Sequence, residues 1–392
     1  MSLCVLLTAL EASGDALGAG LMRAVRRRLG ADVRFVGLGG AEMAAEGLTS
    51  AFDVSELSII GIVEGLLASG RAARRAWELA DMAARERADV AVLIDSWGFN
   101  YFAARQLRRR LPGLRLIKYV APQVWATRPG RAKATARTFD HLLSIIAFEA
   151  QIFESAGVSV TFVGHPALGP DRPKGDADRF RSKFGAGPDE PILLVLPGSR
   201  RSEIDRLAHP FQAAALLLKA ERPGLRLAVV AAGPVIDQVR AWVAEWPVEA
   251  VLVDDPADRA DAMAAARAAL ACSGTVTTEL AAAGCPMVVG YRLGPLTYQI
   301  ARRIVRSRYI TLLNIAADAM IAPELIQADC AGPGLARRLQ SLIDDDGVRR
   351  RQSEAQTAAL QGLGLGVGPP AELAADAVIR IAASAALVDR NV

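Results

Sequence analysis

The stretch Ser273–Arg292, SGTVTTELAAAGCPMVVGYR, constrains the fold more than any other part of the chain. It parses as the end of one strand, a helix, and the start of the next strand. Ala268–Cys272 is a short apolar run. Ser273, Gly274 and Thr275 can open a helix: a hydroxyl for the N-cap, a permissive glycine, and backbone N–H groups free to meet an anion. Glu279 follows one turn on, on the face of Thr275. Gly284 stops the helix, Pro286 follows, and Met287–Val289 begins a buried strand. A helix N-terminus at a strand's carboxyl end suits a diphosphate, and a carboxylate one turn below suits a ribose diol. An ordinary capped βαβ turn would use the same residues.

A second stretch points the same way. Ile192–Leu196 is a continuous apolar strand of the buried parallel type, and it runs into Pro197, Gly198, Ser199, Arg200, Arg201, Ser202 and Glu203. Gly198 and Ser199 can bring backbone N–H groups to an anion. Arg200 adds a planar, permanently charged fork for phosphate. Two anion-suited turns fit one diphosphate bridged between neighbouring strand ends.

Strands alternate with helices over the whole chain. Cys4–Thr8, Val33–Gly37, Val90–Ile94, Leu116–Val120, Leu142–Ile146 and Val160–Val163 read as strands of a first doubly wound parallel sheet. Ile192–Leu196, Arg226–Ala231, Val251–Val253, Ala268–Cys272 and Met287–Gly290 suit a second. Gly164–Gly187, with Pro166, Pro170 and Pro173, is the expected linker. The reading is an N-terminal Rossmann-like domain over 1–168, a second over 169–370, and a final helix over 371–392 that crosses back to the first. Ligands of such sheets sit outside the carboxyl ends of the strands.

Composition narrows the function. Of 392 residues, 52% are hydrophobic and 22% charged, which fits a globular protein with sizeable cores. Lysine occurs only at 118, 133, 174, 183 and 219, so arginine supplies the positive charge, which suits phosphate and anionic surfaces. No basic tail or basic–aromatic repeat points to nucleic acid. Cys4, Cys272, Cys285 and Cys330 are scattered in apolar surroundings and read as buried free thiols. His141, His165 and His209 lack metal-ligand spacing, so no metal and no cofactor is expected. No apolar run reaches the ~18–20 residues needed to span a bilayer. Leu3–Leu10 lacks a basic flank and reads as a strand, not a signal peptide, so a cytoplasmic protein is expected.

Other motifs carry chemistry of their own. TALEASGD (8–15) places Glu11, Ser13, Gly14 and Asp15 after the first strand, as helix caps or as a wall for sugar hydroxyls. GLGGAEM (37–43) has a Glu where a dinucleotide fingerprint needs its third glycine. LSIIGIVEGLL (57–67), with Arg71, Arg74 and Arg75 beyond it, is either a buried segment or a membrane-facing patch with a basic rim. In the second reading Ile59, Ile60, Ile62, Val63, Leu66 and Leu67 touch lipid. DSWGFN (95–100) puts Asp95 at a strand's carboxyl end, as a helix cap or a general base. YVAPQVWATRPGR (119–131) gathers Gln123, Trp125, Arg128 and Arg131 in a loop that could border an acceptor.

These motifs, with VGHP (163–166), LPGSRRSEI (196–204) and YITLLN (309–314), stand in the order of lipid-A-disaccharide synthase, glycosyltransferase family 19. The resemblance runs from about Leu3 to Cys330. It implies GT-B architecture: two Rossmann-like domains facing a cleft. It implies an inverting, metal-independent transfer of 2,3-diacylglucosamine from UDP to the 6-hydroxyl of 2,3-diacylglucosamine 1-phosphate (lipid X), giving a β-1,6 disaccharide. It places the enzyme on the anionic cytoplasmic face of the inner membrane, and leaves a homodimer open. Gly198, Ser199, Arg200, Glu203, Ser273, Gly274, Thr275, Glu279 and Asn314 would hold the nucleotide sugar. Ser13, Gly14, Gln123, Trp125 and Arg128 would border the substrates. Asp95 is the first candidate base, with Glu11 and Asp15 behind it. Two departures stand out: Leu10 replaces a glycine common in the family, and Gly98 stands where members often carry a second Asp, a proposed base. The alternatives are another GT-B enzyme, such as a UDP-N-acetylglucosamine 2-epimerase or a soluble-acceptor transferase, and an inactive nucleotide-sugar-binding homologue.

Overall fold

The computed structural model describes residues 3–52, 69–124, 129–170, 172–305 and 307–388; the side chains of 69, 71, 296, 300 and 385–388 lie outside the description. The chain divides into two compact units. One comprises Met1–Pro170 and Gly366–Val392, the other Asp171–Leu365.

The first unit is built on six parallel strands in the order β2-β1-β3-β4-β5-β6. They are β1 (Leu3–Thr8), β2 (Val33–Leu38), β3 (Val90–Ile94), β4 (Arg115–Tyr119), β5 (His141–Ser144) and β6 (Ser159–Phe162). The chain winds one way from β1 to β2 and the other way from β3 onward. The switch therefore lies between β1 and β3, which pair from Val5↔Val90 to Thr8↔Leu93. Both faces of the sheet are covered, so β1 and β3 run as unbroken apolar strands with Val5, Leu6, Leu7 and Val90–Ile94 buried. On one face pack Leu21, Met22 and Val25 of the Ala12–Leu29 helix and Ala374, Ala375 and Val378 of the Pro370–Val388 helix. On the other pack Leu79 and Ala83 of the Ser69–Arg85 helix and Ala103 and Leu107 of the Trp97–Arg110 helix.

The second unit repeats the plan with β7 (Ile192–Leu196), β8 (Arg226–Val230), β9 (Val251–Val253), β10 (Ala268–Ala271), β11 (Met287–Tyr291) and β12 (Glu324–Ile326). Their order is β12-β11-β10-β7-β8-β9, all parallel, with the switch between β7 and β10. Its core joins Leu193, Val195 and Leu270 to Leu207, Phe211 and Leu218 of the Arg201–Glu221 helix and to Leu335 and Leu339 of the Gly332–Asp344 helix.

The α/β class with two Rossmann-like sheets is the one read from the sequence. Two local readings change. The stretch expected as a linker, 164–187, contains a helix at Ala177–Lys183, because the Asp176 carboxylate accepts the N–H of Arg179 at 3.0 Å and caps it. β12 was not expected; its three residues open with a glutamate and form no apolar run.

Candidate active site

Both switch points carry the polar turns that the sequence singled out. In the second unit, β7 and β10 are hydrogen-bonded neighbours, so Gly198–Arg200 and Ser273–Thr275 leave adjacent strand ends. The Arg200 side chain is 71% exposed at the first turn of the Arg201–Glu221 helix. The Thr275–Ala282 helix starts behind Gly274. The two turns share the surroundings of Cys272. Burial pushes its thiol up to about 12, the Glu203 carboxylate adds to this, and the guanidiniums of Arg200 and Arg259 oppose it.

Several expected roles are corrected. Ser273 does not cap the helix: its hydroxyl donates to the Ile310 carbonyl at 3.2 Å, and Gly274 is the capping residue. Glu203 is buried, and its carboxylate accepts the N–H groups of Ser199 (3.0 Å) and Arg200 (3.3 Å). It occupies the Ser199 N–H, one of the two backbone donors expected to meet an anion, and ties the turn to the first turn of the helix. Gly198 has φ 129°, and a Cβ there would lie 2.6 Å from the Glu203 carboxylate. The glycine is required by that carboxylate. Asn314 is fully buried and makes three side-chain hydrogen bonds: it donates to the Ala322 carbonyl and to Glu324, and accepts the Ala322 N–H. It locks the Ile310–Glu324 segment, and both its side-chain N–H groups are spent inside that segment. Glu279 pairs with Arg259 of the Pro256–Ala265 helix at 2.7 Å. Sequence reading missed Arg259, whose partner lies in the next βα unit.

In the first unit, Asp95 and Ser96 follow β3, and Glu11 to Gly14 follow β1. A Cβ on Gly14 would sit 3.8 Å from that of Asp95, so the start of the Ala12–Leu29 helix and Asp95 are neighbours. Glu11 and Ser13 are exposed and Asp95 half-buried. Glu11 is the capping residue of its helix, yet its side chain makes no capping bond. Asp15 is the exception among these acids. It is buried, and its carboxylate accepts the N–H groups of Gly40 (2.7 Å), Glu42 (2.8 Å) and Met43 (3.2 Å). It caps the short Ala41–Ala45 helix rather than its own, which removes it as a base. Gln123 is exposed. Gly98 lies on the first turn of the Trp97–Arg110 helix, and a Cβ there would meet nothing within 4 Å.

Trp125, Arg128 and Ile59–Leu67 lie outside the described residues, as does the Arg71 side chain. Arg74 and Arg75 belong to the Ser69–Arg85 helix. Arg74 is 3.7 Å from Glu78, while Arg75 donates to Glu78 and stacks on the Phe52 ring at 4.5 Å. Of the two, Arg74 is the more open, at 64% against 20%. Trp77 of the same helix is 48% exposed and was not singled out from the sequence. No helix among the described residues is long and apolar enough to cross a membrane.

A family model described as lipid-A-disaccharide synthetase matches residues 5–378. The chain belongs to the lipid-A-disaccharide synthase family. It is a glycosyltransferase of lipid A biosynthesis, and as a member of the synthase family it is a hexosyltransferase. A lipid-A-disaccharide synthase of Rhodospirillum centenum is 40% identical over 389 residues, covering 99% of this chain and 97% of that protein. Solved structures share the fold at low identity. The calicheamicin glycosyltransferase CalG4 gives a TM-score of 0.60 at 17% identity, covering 97% of this chain and 98% of that one. UDP-GlcNAc 2-epimerase from Neisseria meningitidis, bound to UDP-GlcNAc, gives 0.61 at 10%, covering 97% and 100%. The fold alone therefore serves both transferases and epimerases, and the family match separates them for this synthase-family chain.

Proposed function

We propose that this enzyme moves 2,3-diacylglucosamine from UDP to the 6-hydroxyl of 2,3-diacylglucosamine 1-phosphate, with inversion at the anomeric carbon. The acceptor oxygen forms the new bond to that carbon as the bond to the diphosphate breaks. UDP leaves, and the hydroxyl proton passes to a carboxylate. In this reading UDP lies on the β7/β10 switch point of the second unit. Arg200 and the N-terminus of the Thr275–Ala282 helix meet the charge that develops on the departing diphosphate. Glu279, oriented by Arg259, meets the ribose. Asp95 takes the proton, with Glu11 beside it as the second candidate. Lipid substrates also require contact with a bilayer, for which the segment 57–67 and its arginine rim are the proposed surface.

The observation that carries the reading is the family match joined to one geometric fact: Arg200 and the Gly274–Thr275 turn project from hydrogen-bonded neighbouring strands. UDP release measured with acylated and non-acylated sugars tests it. Release with acylated donor and acceptor only is expected; equal release with soluble sugars would favour a soluble-acceptor transferase. Arg200→Ala should weaken UDP binding by about 1.5–3 kcal/mol, the loss of one charge-assisted contact. Glu279→Ala should weaken it through the ribose. Calorimetry showing unchanged UDP affinity in both folded variants would remove the pocket assignment.

A further inference from the structure

β4 carries a lysine inside the sheet. Lys118 is 1% exposed, between Leu116 and Tyr119, and pairs in register with Leu93 of β3 and Leu142 of β5. Its ammonium donates to three backbone carbonyls: Asp95 at 2.5 Å, Tyr119 at 3.2 Å and Leu93 at 3.3 Å. Three acceptors match the three N–H groups of an ammonium.

The same strand ends hold an unusual backbone. Asp95 (φ 46°), Ser96 (φ 37°) and Val120 (φ 69°) are three of the six non-glycine residues with positive φ among the described residues. Left-handed backbone at such residues is strained and persists only where its surroundings over-determine it. Here they do. The Asp95 N–H donates to the Tyr119 carbonyl at 2.8 Å. The buried Asn100 amide donates to the carbonyls of Ile94 (2.8 Å) and Asp95 (2.9 Å), and its oxygen accepts the Thr8 hydroxyl at 2.7 Å. Lys118 and Asn100 therefore grip the Asp95 peptide from two sides and tie β1, β3, β4 and the Trp97–Arg110 helix into one polar knot.

We propose that Lys118 is a positioning residue for the transfer reaction: its side-chain nitrogen, with the Asn100 amide, holds the β3 turn in the left-handed conformation that presents the Asp95 carboxylate to the acceptor hydroxyl. A lysine side chain wholly within a sheet has no role in binding solvent or a surface partner. All three of its bonds end on the backbone that aims Asp95. Mispositioning a reacting group by about 1 Å can lower turnover by about 10²-fold. The catalytic half of this inference rests on the reading of Asp95 given above; the positioning half does not.

Lys118→Met tests it. Methionine fills the same space without donors, and two of the three carbonyls keep another partner, Asn100 at Asp95 and the Asp95 N–H at Tyr119. The variant should fold. Hydrogen exchange over 94–98 should quicken while the rest of the sheet keeps its protection. With UDP-diacylglucosamine as donor, kcat should fall about 10²-fold with KM for the donor within twofold. Asn100→Ala reads the other side of the knot and should show the same signature more weakly. It also serves if Lys118→Met is recovered unfolded. Unchanged exchange over 94–98 in both variants would overturn the positioning. Quickened exchange with wild-type kcat, while Asp95→Asn is inactive, would overturn the catalytic consequence. Quickened exchange with wild-type kcat in all three variants would instead overturn Asp95 as the base and leave the knot standing.

Discussion

Burying an ammonium is unfavourable even when its protons are all bonded, and Lys118 shows both sides of this. Burial pulls its pKa from 10.5 down to about 7, against the partial support of the Asp95 carboxylate. Below pH 7 the side chain is protonated in both the folded and unfolded chain, and the folded state carries the whole desolvation penalty. Between about 7 and 10.5 the unfolded chain holds a proton that the folded one has released, so stability rises with pH across that window. Lys118→Met removes the effect. Urea midpoints of the two proteins at pH 7 and pH 10 should show the wild type gaining on the variant; a constant difference would mean that the lysine titrates as if exposed. At this scale the sequence shows which residues are unusual, not what they touch. The acids at 11, 15 and 95, the arginine at 200 and the glutamates at 203 and 279 all stand out in the chain. Asp15 does cap, one of its two readings, but the N–H groups it caps belong to Gly40–Met43, which the sequence around it does not show. Asn314 was misread because Glu324 and Ala322 close around it only once β12 is in place. The one available signal for Lys118 was a lysine inside the apolar run Leu116–Val120 of a lysine-poor chain.

Elements were more legible than their side chains. β3 and β7 fall where apolar runs bounded by polar turns put them, because a strand covered on both faces has no freedom in composition. Short elements with mixed composition were not legible: Glu324–Ile326 pairs with β11 only through the register that the longer strands impose. The Ser69–Arg85 helix carries the prediction for this scale. Arg74 and Trp77 are exposed on it, and it follows directly on the apolar segment 57–67. Sedimentation with liposomes should rise with anionic lipid and fall with salt. Reversing Arg71 and Arg74 to Glu should lower partitioning at least about tenfold, given roughly 1 kcal/mol for each basic residue near an anionic surface. Arg75 is left in place because it is already engaged with Glu78 and Phe52. Equal partitioning of variant and wild type would place the membrane contact elsewhere.

The molecule as a whole is two copies of one plan, and the first copy is discontinuous in the chain. Its last helix, Pro370–Val388, buries Ala374, Ala375, Ala377, Val378 and Ala382 in the core that also holds Leu21, Met22 and Val25. Glu372 pairs with Arg27 and Arg28, and Asp376 with Arg28, along the same contact. These pairs are partly exposed and add little by themselves; the buried apolar face holds the helix. A chain ending at Leu365 should therefore lose the cooperative unfolding of the first unit and keep that of the second. Calorimetry with and without UDP distinguishes the two, since only the transition of the unit proposed to hold the nucleotide should move upward with ligand. A single transition that UDP leaves unmoved would contradict both the independence of the second unit and its nucleotide site.

That discontinuity sets an order of events on the ribosome. Asp171–Leu365 emerges as an unbroken stretch and can close its core as soon as it is clear of the exit tunnel. Met1–Pro170 emerges first, yet must wait for the C-terminal helix before its sheet is covered. At roughly 5–20 residues per second, the part of the sheet face that this helix covers stays open for on the order of ten to forty seconds in every round of synthesis. The half of the protein made first is the last to be finished.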